Sequence, residues 1–174
     1  GDRFGFSVAG GHDLNGDGVP DIVVGAYNYD PDCTGAGKID DAGAAYVFFG
    51  PFSGSYDADE ADARYCGDGG SQEAGRGVLT APDMDGDGND ELIVGIPGKR
   101  SGSVFIWSGI TGGDLSTEDA VADIRGDDTQ HHFGHDLVVG NPEGSATTYL
   151  LVTADAWSTS DATPNRGAVY GYEA

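Results

Sequence analysis

The sequence predicts an all-β chain. Its apolar residues fall in short runs of strand length, and no stretch sustains a 3.6-residue helical period. The runs are rich in β-branched and aromatic residues and are bounded by Gly, Asn, Asp or Pro. They also recur in three copies, with repeat starts at Phe4-Gly5, Ala74-Gly75 and Phe133-Gly134, 70 and 59 residues apart.

Each repeat holds three runs. In the first they are 6–9, 22–24 and 46–49. In the second they are 78–79, 92–94 and 104–107, and in the third 137–139, 149–152 and 168–172. A fourth element precedes the second and third repeats. Segments 61–75 and 120–134 have equal length, and each carries a Gly-Asp pair (Gly67-Asp68, Gly126-Asp127) ahead of the repeat start. Three inner strands and one outer strand make an antiparallel four-stranded sheet, the blade of a β-propeller.

The expected organisation is one propeller-type domain over 1–174, with repeats at 1–70, 71–130 and 131–174. Three inner sets stand against two outer strands, and propellers close with about four to eight blades. The chain is therefore expected to be a segment of a larger ring. The remaining blades would come from a parent chain or from self-association, and a compact three-repeat arrangement is the alternative.

The charge excludes several functions. Thirty Asp and Glu against eight Lys and Arg give a formal net charge of −22. Nucleic-acid backbones and anionic membrane surfaces reward clustered Lys and Arg, so neither is an expected partner. No apolar run approaches the ~20 residues of a membrane helix. There is no signal-peptide pattern and no initiator Met, which reads as a chain processed or cut from a longer one. Acidic chains often fail to fold, but the well-formed apolar runs oppose disorder here.

The most specific chemistry lies in two loops that align without a gap, residues 13–25 and 83–95. Positions one, three and five carry oxygen side chains. Glycines at positions four and six (Gly16, Gly18; Gly86, Gly88) permit tight winding with positive φ. Position seven offers a backbone carbonyl, and position nine returns a carboxylate. The expected ligands are Asp13, Asn15, Asp17, the Val19 carbonyl and Asp21 in one site. In the other they are Asp83, Asp85, Asp87, the Asn89 carbonyl and Glu91. Hard oxygen donors in that number, without His or Cys, select Ca²⁺, giving two sites. An EF-hand needs a bidentate Glu at position twelve and flanking helices; here position twelve is Val24 or Val94, inside a strand. The third repeat offers Asn141, Glu143, Ser145 and Tyr149, with a single carboxylate, and is expected not to bind calcium.

Phe-Gly, then Asp-x-Asx-x-Asp-Gly-x-x-Asp/Glu, then a strand ending Gly25-Ala26 or Gly95-Ile96-Pro97 resembles the FG-GAP repeat of the integrin α-subunit propeller. The resemblance covers the whole chain and is specific in the first two repeats. Ala74 replaces the Phe in the second, and the third departs at both the loop and the closing motif (Thr153-Ala154-Asp155). The resemblance implies a propeller of about seven blades. It also implies calcium at hairpin loops on one face, and partner proteins or glycans bound by other loops at a cell surface or outside the cell.

Four further features carry weaker signals. Cys33 and Cys66 flank the third strand of the first repeat, and an even pair in an acidic, calcium-binding chain fits a disulfide formed in an oxidising compartment. Two unpaired thiols are the alternative. His131, His132 and His135 with Asp136 lack the geometry of a zinc site on a strand or turn and read as structural or surface residues. Ser7 lacks the closing Gly of a nucleophile elbow. Arg125-Gly126-Asp127 spells an integrin-ligand tripeptide, but its Gly-Asp falls at a repeat position.

The expected function is non-enzymatic: calcium-stabilised adhesion or recognition outside the cell or at its surface, with no catalytic residues. The alternative is a calcium-dependent carbohydrate-active propeller, a polysaccharide lyase or hydrolase. A lyase would want clustered Arg or Lys to hold an acidic sugar, and eight scattered basic residues oppose it. Similar repeats also accompany phospholipase domains, where they are accessory.

Overall fold

A computed structural model describes residues 1–33, 37–127, 132–141, 147–155 and 167–173. The first repeat forms β1 (Ser7–His12), β2 (Asp21–Ala26), β3 (Ala44–Phe48) and β4 (Ala63–Cys66), an antiparallel meander. The second forms β5 (Val78–Ala81), β6 (Glu91–Ile96), β7 (Ser103–Ser108), β8 (Gly113–Leu115) and β9 (Ala122–Arg125). The third forms β10 (Phe133–Gly140), β11 (Tyr149–Ala154) and β12 (Ala168–Glu173). Each of the nine inner runs falls on a strand, and both outer elements are strands, β4 and β9.

One strand is absent from the sequence reading. β8 leaves its own repeat and lies parallel to β4, so the first sheet has the order β1-β2-β3-β4-β8. Gly113-Asp-Leu115 has little strand propensity. It is held by the Gly113 N–H donating to Asp62 O (2.8 Å) and by the Arg64 guanidinium on Asp114 (2.6 Å). Its pairing covers backbone groups that β4 would otherwise present as an open edge. The second sheet is β5-β6-β7-β9, and the third, among the described residues, is β10-β11-β12.

The sheets stack face to face, which explains why β2 and β6 read as continuous apolar runs rather than alternating ones. β6 is buried along its whole length. With period-two alternation, Leu92, Val94 and Ile96 join the cluster shared with the first sheet (Leu14, Val23, Val47, Tyr65). Ile93 joins the cluster shared with the third (Phe133, Leu150, Val152). In the first of these cores the Tyr65 and Trp107 rings pack with centroids 5.0 Å apart.

Glycine sets the approach of neighbouring blades. The Phe-Gly position of one repeat abuts the strand-closing Gly of the preceding one: Gly75 against Gly25, and Gly134 against Gly95. The Gly75 N–H donates to Gly95 O (3.1 Å) and the Ser7 hydroxyl to Gly75 O (2.8 Å), so Ser7 is an inter-blade tie. Isolated parallel bridges, Gly43 with Ala74 and Gly102 with Phe133, extend the contact. Phe133 is fully buried against Gly102 and Gly126; Ala74 takes the equivalent place beside Gly43.

Cys33 and Cys66 form a disulfide that ties the segment between β2 and β3 to the outer strand β4. Arg125 is engaged by Asp123. The Gly126 N–H donates to Gly102 O (3.0 Å) and the Gly126 carbonyl accepts from the Ser101 hydroxyl (2.6 Å). That tripeptide is thus built into the blade at its first two residues. No helix among the described residues is long and apolar enough to cross a membrane.

Candidate metal centre

The two acidic loops join β1 to β2 and β5 to β6. Each winds through glycines with positive φ: Gly16 (78°), Gly18 (85°), Gly86 (82°) and Gly88 (94°). These glycines have open space where a side chain would stand, so backbone conformation and not room requires them. The first aspartate of each loop gathers loop amides. Asp13 Oδ1 accepts from the N–H groups of Gly16 (2.8 Å) and Asp17 (3.1 Å), and Oδ2 from Gly18 (2.6 Å). Asp83 accepts from Gly86 (2.7 Å) and Gly88 (3.1 Å) in the same way. The Gly18 N–H above all holds the Asp13 carboxyl below its ordinary pKa. The Asn89 amide, then the Ser108 hydroxyl, does so for Asp87.

Position nine separates the two loops. Asp21 spends both oxygens on backbone: Oδ2 accepts from Leu14 N–H (2.8 Å) and Oδ1 from Gly50 N–H (3.0 Å). Burial pushes its pKa up. Glu91 repeats the first contact, Oε2 accepting from Met84 N–H at 3.0 Å. Its Oε1 is buried without a hydrogen-bond partner, in a residue only 1% exposed. Ligand oxygens of Asp83, Asp85, Asp87 and Glu91 all lie within 4.8 Å of one another; among the described residues the three acids of the first loop do not converge so tightly. Burial, then the charges of Asp85, Asp83 and Asp87, pushes the Glu91 pKa up to about 7, against the Met84 N–H, which lowers it.

Four carboxylates at that spacing, one with an orphaned buried oxygen, suit a hard divalent cation. An unsatisfied buried acceptor is costly, and a cation would both satisfy it and relieve the mutual repulsion. The donor set contains only oxygen, which favours Ca²⁺ over transition metals.

Both loops are seated between blades. Leu14, at position two of the first loop, is fully buried in the core shared with the second sheet, and its carbonyl accepts from Ile110 N–H (2.8 Å). Met84, at the matching position, packs on the core shared with the third sheet. His12 bonds Thr80 between the first and second sheets (2.9 Å). Sequence reasoning missed Asp90, whose carboxylate accepts from Asp83 N–H (3.1 Å) and from Asp13 N–H (2.8 Å). The signal was an acid at position eight, where the first repeat has Pro20 and no further ligand is needed.

In the third repeat, Asn141 follows β10 and Tyr149 opens β11, while Glu143 and Ser145 lie outside the described residues, as does His131. His132 contacts Asp155 (3.0 Å) and His135 contacts Asp136 (3.1 Å).

The FG-GAP repeat family model matches residues 4–48 and 74–107, the first two strand sets with their loops. The chain carries FG-GAP repeats. Phosphatidylinositol-glycan-specific phospholipase D of Homo sapiens is 31% identical over 197 residues, covering 98% of this chain and 21% of that protein. Integrin alpha-PS5 of Drosophila melanogaster is 34% identical over 179 residues, covering 100% and 16%. Integrin alpha-5 of Xenopus laevis is 29% identical over 165 residues, covering 87% and 14%. The chain spans about a fifth or less of the length of these relatives. The glycine contacts give the FG-GAP motif its physical meaning: the Gly of Phe-Gly and the strand-closing Gly of the preceding repeat are two halves of one inter-blade contact.

Proposed function

We propose that this chain is a calcium-held propeller segment acting in adhesion or recognition, outside the cell or at its surface, without catalysis of its own. The observation that carries the reading is the convergence of Asp83, Asp85, Asp87 and Glu91 with the orphaned Glu91 Oε1. In the second site these four and the Asn89 carbonyl hold one Ca²⁺. In the first, Asp13, Asn15, Asp17, the Val19 carbonyl and Asp21 hold another, once Asp21 turns an oxygen from Leu14 or Gly50 toward the ion. Calcium is structural: it neutralises crowded carboxylates and pins loops wedged between blades. The disulfide supports an oxidising, extracellular setting. The repeats 1–70, 71–130 and 131–174 serve as blades of one domain, completed by blades of a parent chain or by self-association. The partner is an extracellular protein or glycan, met by loops away from the calcium hairpins.

A second reading rests on the similarity to the phospholipase D relative, which spans 98% of this chain. In that reading this segment is an accessory propeller part of a longer enzyme whose chemistry lies outside it. Arrays of glycans and extracellular proteins, probed with and without calcium, test the proposal when run beside turnover assays on polysaccharide and phosphatidylinositol-glycan substrates. Calcium-dependent binding without turnover is expected. Turnover by this chain alone would overturn it.

A further inference from the structure

Asp90 occupies loop position eight and is not among the ligands assigned above. One of its oxygens accepts from Asp83 N–H (3.1 Å), the other from Asp13 N–H (2.8 Å). Those amides belong to the first residues of the two loops, 70 positions apart in the chain. The next residue, Glu91, is the buried carboxylate of the second cluster.

We propose that Asp90 couples the two calcium loops, so that an ion in the second raises the affinity of the first, and the reverse. The proposal rests on the calcium reading above. An ion drawing in Glu91 and Asp83 fixes the backbone on both sides of Asp90's contacts. The Asp90 carboxylate then holds the Asp13 amide in place. Asp13 is the residue whose own carboxylate gathers the Gly16, Asp17 and Gly18 amides, so orienting it shapes the first loop. In the ion-free chain the second cluster is set against itself, with four acids crowded and one oxygen unsatisfied. Loosening there passes to Asp13 through the same carboxylate.

The sign is diagnostic. Two cations repel through space, so direct electrostatics would make the second ion harder to bind. Positive coupling therefore needs a mechanical link, and linkage makes it reciprocal. The Leu14 carbonyl also accepts from Ile110 N–H, which anchors the first loop to the β7–β8 connection. Ile110 lies two residues beyond Ser108, whose hydroxyl donates to Asp87 (2.8 Å) and leaves a second, longer route to the second cluster. The first loop thus stays docked when Asp90 is changed.

The test is a cycle of four 174-residue chains: unaltered, Asp85→Ala, Asp90→Ala and the double variant. Calcium affinity of the first loop is read from the Gly16 and Gly18 amide resonances during calcium titration. Asp85→Ala, which disables the second site, is expected to weaken the first about fivefold or more with Asp90 present, and less than about twofold in the Asp90→Ala background. Asp90→Asn, which keeps one acceptor oxygen, should give an intermediate value and replaces the alanine variant if that chain unfolds. Equal effects of Asp85→Ala in both backgrounds, or a gain in first-loop affinity, would overturn the coupling while leaving the calcium sites intact. Absence of calcium uptake by the unaltered chain would overturn the calcium reading itself, and the coupling with it.

Discussion

Gly25 lies so close to Gly75 that a β-carbon on Gly25 would stand 2.0 Å from the Gly75 carbonyl oxygen. The same 2.0 Å separates a β-carbon on Gly95 from the carbonyl of Gly134. Backbone of the next blade occupies the space at both glycines, joined at Gly25 by the Ser7 hydroxyl (2.2 Å), so the blades must part to admit a methyl group. Gly25→Ala or Gly95→Ala should therefore cost about 3 kcal/mol or more, read from urea unfolding. Gly16→Ala is the control. It meets nothing within 4 Å and strains only its positive φ, for about 1–2 kcal/mol.

Glu91→Gln should reverse its effect with calcium. Without the ion, Gln removes a buried, crowded carboxylate and the chain should melt at the same temperature or higher above about pH 7. With calcium, second-site affinity should fall about tenfold or more and the variant should melt lower than the unaltered chain. Melting curves in calcium and in EDTA at slightly alkaline pH check both halves.

Acidity should act oppositely on ion-free stability and on calcium affinity. The Glu91 pKa rises from an ordinary 4.5 to about 7 on folding. Between those values the folded chain holds a proton that the unfolded chain has lost, so ion-free stability should fall as pH rises through the window. Calcium must expel that proton, so second-site affinity should rise with pH and level off above about 7. Calorimetric titration at about pH 5.5 and about pH 8 should show a difference of roughly tenfold or more, with heat that depends on the buffer.

Much of this was legible in the sequence because repetition made it so. Nine inner strands, two outer strands and the positions of both loops follow from matched apolar runs and glycines read across copies. Three things did not. β8 is specified by tertiary pairing to β4, through Arg64–Asp114 and Asp62–Gly113, and carries no local strand signal. Asp85 in place of Asn15 was legible, but the other inequality of the two loops, Glu91 leaving an oxygen free where Asp21 spends both, is set by the packing around position nine. Asp90 falls outside the ligand pattern, and its reach to Asp13 exists only once the blades are stacked.

The central claim is that calcium holds this segment together. Chelator-stripped chain should take up two ions in a calorimetric titration near neutral pH. At roughly 100-fold excess over Kd each site contributes about 2.7 kcal/mol. Two sites should then raise the melting temperature by about 10–20 °C. Two ions bound with a rise of that size is the expected result. A chain that releases no heat on calcium addition and melts at the same temperature in calcium and in EDTA would contradict the account.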